Sequence, residues 1–181
     1  TEDTADRIFI LKKGAVKIVR TDREGNEVVK DLLGKHDLFG HLPTSMRDGF
    51  SSEHAVALSD DVSICTFMRS DFEQVLAQNP EVALRLNSHM GEKLRALEQR
   101  YDSLVFKDVR SRLLEFLERY CQLFVDDRTA DGAVPNHLRQ EDIAHLIGCS
   151  RQTVAELIGD LDREGRLMYG RKQIRLSTPG K

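Results

Sequence analysis

The sequence holds no tryptophan, only three cysteines and four prolines, and 6% aromatic residues over its 181 positions. No apolar run approaches the roughly 18 residues that a membrane-spanning helix needs, and no secretory signal stands at the start. Cys65, Cys121 and Cys149 lie far apart and without metal-binding spacing, which suits a reducing compartment and an expected place in the cytoplasm. An excess of positive charge is missing too. The formal net charge is -3, so the chain is no basic coat for nucleic acid. What is present is a 40% hydrophobic content, enough for a globular core, and a 31% charged fraction suited to a solvated surface.

The two parts of the chain differ in charge. Residues 1–106 carry 14 Lys+Arg against 18 Asp+Glu (-4), and residues 107–181 carry 13 against 12 (+1). Any contact with DNA therefore has to come from a local patch.

They differ in pattern as well. Up to about residue 70 the apolar runs are short and β-rich: Ile8–Leu11, Val16–Val19, Val28–Leu33, Ala55–Leu58 and Val62–Phe67. Polar turns such as Thr21–Glu27 separate them, which predicts a β sandwich or jelly roll. The chain begins without methionine and enters a strand almost at once, so the expected domain lacks an N-terminal piece.

Helical signals follow. Ser70 and Asp71 suit an N-cap ahead of Phe72–Leu76, and Pro80 suits the first turn of a long helix to about Phe106. Along that helix Leu86, Met90, Leu94, Leu97, Tyr101 and Leu104 step by 4, 4, 3, 4 and 3. This near-heptad stripe fits a coiled-coil dimer seam. Spacing alone fits equally a stripe packed on its own domain, but a helix bridging two domains favours dimerisation. From Asp108 onward Val109, Leu113, Leu114, Phe116, Leu117, Tyr120 and Phe124 mark another amphipathic helix. A polar loop at residues 126–132 follows it.

The stretch from Gln140 to Glu164 carries the sharpest signal. Ile143, Ala144 and Ile147 form one apolar face, Gly148 can take the positive φ that ends a helix, and Ser150 can cap the next. Val154, Leu157, Ile158 and Leu161 then face inward. Two helices joined so tightly predict a helix-turn-helix, and two short strands around Gly170-Arg171-Lys172 predict its wing. An ordinary helical hairpin with a polar face is the plain alternative. On the outward face Arg151 can fork onto guanine O6 and N7, and Gln152 can bond adenine bidentately. The Ala155 methyl can meet a thymine methyl, and Glu156 can accept from cytosine N4 or hold Arg151 or Gln152 in place. Gln140 and the amides at both helix starts, near Arg139 and Ser150, are candidate phosphate contacts, as are Arg171 and Lys172 at the wing tip.

These residues resemble the CRP/FNR family of bacterial transcription regulators over nearly the whole chain. The run Leu138-Arg-Gln-Glu-Asp-Ile-Ala, followed by Ile147-Gly-Cys-Ser-Arg-Gln-Thr-Val, is similar to the family's helix-turn-helix signature. Gly14-Ala-Val-Lys-Ile, the Gly25 hairpin and Gly34-Lys-His-Asp-Leu-Phe-Gly40 resemble its effector-binding jelly roll. The resemblance implies an α+β protein in three parts: a jelly roll (1–79), a dimerisation helix (80–106) and a winged helix-turn-helix (107–181). It also implies a homodimer on a near-palindromic double-stranded site, and partnership with RNA polymerase. The implied effector pocket includes Phe39, Gly40, His41, Ser51 and Ser52.

Departures accompany the likeness. Cyclic-AMP-binding members follow Phe-Gly with Glu, which accepts from the ribose, and later carry Arg-Ser for the phosphate. Here His41 follows Gly40, and the later stretch reads Gly49-Phe-Ser-Ser-Glu-His54, so cyclic AMP is not the expected effector. Gln152 replaces a common Glu, Glu156 replaces an Arg of the cyclic-AMP-responsive branch, and Arg139 replaces a Thr cap. A different half-site and a looser helix start are expected. Two other readings stay open: a DNA-binding regulator with no small-molecule effector, and a cupin-like metalloenzyme using His36, Asp37, His41 and His54. No catalytic constellation is visible. The sequence names no cofactor, and an iron–sulfur cluster or haem held outside this stretch is left open.

Overall fold

The computed structural model describes residues 7–40 and 52–177, with strands and helices in the order that the apolar spacing implies. Strands β1 (Arg7–Lys13), β4 (Leu38–Gly40) and β6 (Ser63–Met68) form one antiparallel sheet in the order β4-β1-β6. Strands β2 (Val16–Thr21), β3 (Glu27–Leu33) and β5 (Ser52–Ala57) form a second, ordered β3-β2-β5. Leu11, Val16 and Leu33 join the sheets in a small buried core, with Ile18, Phe39 and Val62 packed on it. Gly14 makes the corner between β1 and β2 at φ +86°, where a Cβ would lie 2.4 Å from the Asp61 carbonyl oxygen. The β2–β3 hairpin closes on Asp22, whose carboxylate accepts from the Glu24 and Asn26 amides and from Asn26 Nδ2, each at 2.9 Å.

A bulge interrupts the β2–β3 ladder. Ile18 pairs with Asp31 and Val19 with Val29, leaving Lys30 without a partner strand residue. The extra residue flips the side-chain alternation. Val29 and Leu32, of opposite parity, therefore reach the same apolar cluster.

The helices then follow: α1 (Arg69–Gln78), α2 (Pro80–Phe106) and α3 (Val109–Leu123). Helix α1 starts two to three residues earlier than the Ser70–Asp71 cap predicts; its N-cap is Met68, with no side-chain cap. Pro80 opens α2, and Asp108 caps α3 by accepting from the Ser111 amide at 2.9 Å. Leu94, Leu97, Tyr101 and Leu104 are 59%, 59%, 68% and 50% exposed, so half or more of each of these side chains stays in water. Leu86 and Met90 are half-buried.

The C-terminal unit comprises β7 (Val134–Pro135), α4 (Gln140–Ile147), α5 (Arg151–Arg163), β8 (Leu167–Tyr169) and β9 (Gln173–Leu176), with the strands ordered β7-β9-β8. Leu113, Leu117, Ile143, Val154, Leu161 and Ile174, each fully buried, form its centre. Buried Tyr120 ties α3 to the segment leading into α4: its hydroxyl donates to the Pro135 carbonyl at 2.8 Å and accepts from the His137 amide at 2.9 Å. Desolvation holds that hydroxyl protonated well above the usual tyrosine range. The chain is thus α+β: N-terminal β sheets, a long helix, and a winged helix-turn-helix.

Candidate nucleic-acid interface

The N-cap of helix α4 is Arg139, which has no side-chain acceptor to offer the first turn. Asp142, one turn in, supplies half of a capping box instead, its Oδ2 accepting from the Arg139 amide at 2.9 Å. The other end is a left-handed cap. Gly148 sits at φ +67°, and the Cys149 amide donates to the Ala144 carbonyl at 3.1 Å. Ser150 then caps α5 by accepting from the Thr153 amide at 3.0 Å, and its hydroxyl also bonds Thr153 Oγ1. Val154, Ile158 and Leu161 turn α5 towards α4, where Ile143, Ala144 and Ile147 are buried.

That packing leaves Arg151, Gln152, Ala155 and Glu156 together on the exposed side of α5. Gln152 Nε2 donates to Glu156 Oε1 at 3.0 Å, one turn along. Glu156 thus holds Gln152 on this helix, one of the arrangements open to it. Among the described residues no other group bonds the Gln152 side-chain amide.

Arg151 also lines a cleft of about 480 Å³ with Arg139, Gln140, Glu141, Tyr169 and Arg171. Three arginines and one glutamate therefore line the junction of both helix starts and the wing. The cleft thus carries a local excess of positive charge on a near-neutral C-terminal part. The wing turn is held in place by Asn136, whose amide donates to the Lys172 carbonyl at 2.9 Å and whose Nδ2 donates to the Gly170 carbonyl at 2.8 Å. Tyr169 adds a bond to the Leu138 carbonyl at 3.2 Å. Arg171 and Lys172 project from that turn, both exposed.

The sensor-side residues fall differently. Phe39 stacks on Phe9 with ring centroids 5.2 Å apart, both rings half-buried. Gly40 lies at φ +101°, and a Cβ there would lie 2.6 Å from the Arg7 carbonyl oxygen. His41, Ser51 and the Ser52 side chain lie outside the described residues; the Ser52 backbone pairs with Thr21. Glu53, the acid in the stretch that departs from the cyclic-AMP pattern, is spanned by Arg20 at 2.5 Å and Lys30 at 2.8 Å. Partial burial works against its ionisation, but the bonds from Lys30 and Arg20 outweigh it and hold the carboxyl below the usual glutamate range. Asp37 is buried at the turn before β4, with Lys93 of α2 at 2.7 Å and His89 at 4.0 Å. Sequence reading missed the Asp37–Lys93 pair because 56 positions separate its members. Among the described residues no three His, Cys, Asp or Glu side chains gather as a metal site.

The comparisons with known proteins cover both halves. Residues 1–79 match the model of the cyclic nucleotide-binding domain, and residues 111–181 match the Crp-like helix-turn-helix domain. The global nitrogen regulator of Nostoc sp. is 33% identical over 181 residues, spanning 98% of this chain and 79% of the relative. The CRP-like cAMP-activated global transcriptional regulator of Mycobacterium tuberculosis is 28% identical over 175 residues, spanning 97% and 77%. Among solved structures, FixK2 from Bradyrhizobium japonicum superimposes with a TM-score of 0.78 at 23% identity, covering 97% of this chain and 84% of that one, a likeness of fold. Such proteins regulate transcription and are not enzymes, which removes the cupin-like reading. The chain belongs to the CRP/FNR family of transcription regulators, which bind DNA through their helix-turn-helix.

Proposed function

We propose that the chain works as a homodimer on a near-palindromic duplex, with one α5 helix in the major groove of each half-site. The observation that carries this reading is the exposed face of α5 beside a cleft lined by three arginines. Arg151 forks onto a guanine, Gln152 reads the neighbouring base with its free amide edge, and the Ala155 methyl meets a thymine. Glu156 acts through Gln152, fixing its rotamer. Arg139, Gln140, Arg171, Lys172 and the amides at the Ser150 cap meet phosphates and set the register.

The exposed stripe Leu94, Leu97, Tyr101 and Leu104 supports a dimer about α2, since a second copy would cover four large side chains that otherwise stay in water. The DNA-binding unit thus spans residues 107–181 and the sensor residues 1–79, joined by α2. A regulator of this kind works beside the chromosome, in the cytoplasm, and acts on RNA polymerase. Its input is something other than cyclic AMP, because Glu53 and its two cations occupy the stretch where a cyclic phosphate would need an arginine and a hydroxyl.

Sedimentation and fluorescence anisotropy test the reading together. A dimer that binds duplex DNA, with affinity unchanged by added cyclic AMP, is the expected result. A monomer at micromolar concentration would overturn the two-half-site mechanism, and a cyclic-AMP-dependent gain would overturn the sensor assignment.

A further inference from the structure

The outward face of the β3-β2-β5 sheet is not left to solvent. Ala15 and Val29 are buried in the same apolar cluster as Ile143, Leu146 and Ile147 of α4, with Leu32 and Leu58 packed alongside. Strand β3 is an edge of its sheet among the described residues, and an edge strand presents unpaired backbone groups. Helix α4 covers it: the Val29 amide donates to His145 Nδ1 at 3.5 Å. The bulge frees the Lys30 carbonyl, and Arg100 of α2 takes it at 3.2 Å.

The polar contacts fall at the two ends of α4. Near its start, Lys17 Nζ of β2 meets Asp142 Oδ1 at 2.5 Å, across 125 positions of sequence, with the side chains only 17% and 7% exposed. This is the same carboxylate whose other oxygen caps the helix. Near the end, the final carbonyls of a helix have no partner within it. Arg100 takes the Leu146 carbonyl at 3.2 Å, and Arg112 takes those of Ile147 at 2.9 Å and Gly148 at 3.2 Å. Arg112 also bonds the Lys107 carbonyl at the α2–α3 junction, at 2.9 Å. Leu104 of the exposed stripe comes within 2.9 Å of where a Gly148 Cβ would stand.

We propose that Lys17, Asp142 and Arg100 are positioning residues for DNA reading: they lock α4 to the sensor sheet and the long helix, and so set the spacing between the two α5 helices of a dimer. The inference rests on the assignment of α5 as the reading helix. The lock leaves the α5 face free, so it acts on where that face is held and not on whether it is accessible. Each head reads its half-site whatever its neighbour does, but simultaneous reading needs both heads at one spacing. Releasing α4 therefore costs the advantage of binding two half-sites at once and leaves single half-site contact intact.

The test compares wild type with Lys17→Met, which keeps an apolar stem and leaves the Asp142 cap in place. Lys17→Met combined with Asp142→Asn forms the second variant, since it removes both charges and leaves no buried carboxylate unpaired if the single change misfolds. Anisotropy is measured on a duplex with both half-sites, taken from a selected pool, and on one with a single half-site. Hydrogen exchange over residues 27–33 and 140–147 reports docking without DNA. Both variants are expected to exchange faster in those two segments and to lose about tenfold or more on the full site, with half-site affinity within about twofold of wild type. Unchanged exchange, an unchanged ratio of full-site to half-site affinity, or a gain on the full site would each overturn the lock. A wild-type protein that binds neither duplex would instead remove the reading assignment beneath it.

Discussion

The two helices of the helix-turn-helix are neighbours in sequence and opposite in exposure. Helix α4 buries Asp142, Ile143, Ala144, Leu146 and Ile147 out of eight residues, whereas α5 buries only Val154, Ile158 and Leu161 out of thirteen. One is held by the sensor strands, by the arginines of α2 and α3, and by its partner helix, with Glu141 and His145 left exposed. The other is held along one stripe and free along the rest. On the proposed reading this difference separates the tasks of the pair: α4 takes position from the body of the protein, and α5 presents chemistry to a partner. A substitution in α4 should therefore register first as stability, and one on the outward face of α5 first as recognition.

The largest effect expected from breaking that division is at Ile143, fully buried in α4. Ile143→Ala should lower unfolding free energy by about 2–5 kcal/mol, measured by urea denaturation. Arg151→Ala should do the reverse, leaving the urea midpoint in place while costing about 1–3 kcal/mol on the selected duplex. An Arg151→Ala chain that melts early would blur the contrast between the helices.

The cap between them is intermediate. Ser150→Ala removes the acceptor for the Thr153 amide and should cost about 0.5–2 kcal/mol of stability, with a matching loss of helicity at the start of α5 by hydrogen exchange. Glu156→Ala sharpens the comparison most finely. Losing the bond to Gln152 should change stability by less than about 0.5 kcal/mol, yet widen the base preference opposite Gln152 in a randomised duplex pool. Preference unchanged at that position would mean that Gln152 needs no such support.

Much of this was legible in the sequence because it follows local rules. The positive φ of Gly148, the Ser150 cap and the inward spacing of Val154, Ile158 and Leu161 each depend on residues within one or two turns. The strands of the roll and the length of α2 are readable for the same reason. Contacts between distant segments were not. Nothing near Lys17 announces Asp142, and nothing near Glu53 announces that Arg20 and Lys30 will reach it. At the start of α4 Arg139 stands in the place of a threonine cap, and the carboxylate that stabilises the turn stands three positions on. The two-residue strand Val134–Pro135 and the three-residue strand Leu38–Gly40 are too short to carry a period. The bulge at Lys30 has no glycine to mark it. On α2, spacing could not separate a dimer seam from a packed stripe. The exposure of Leu94, Leu97, Tyr101 and Leu104 supports the proposed seam.

The central claim is that the outward face of α5 reads base pairs. Selection from a randomised duplex pool by the wild type and by Arg151→Ala, sequenced side by side, tests it most directly. The account predicts two inverted half-sites centred about one helical turn apart, roughly 34 Å, with the variant losing preference at one symmetry-related base pair in each. An unselected wild-type pool, or identical preferences in the two proteins, would contradict it.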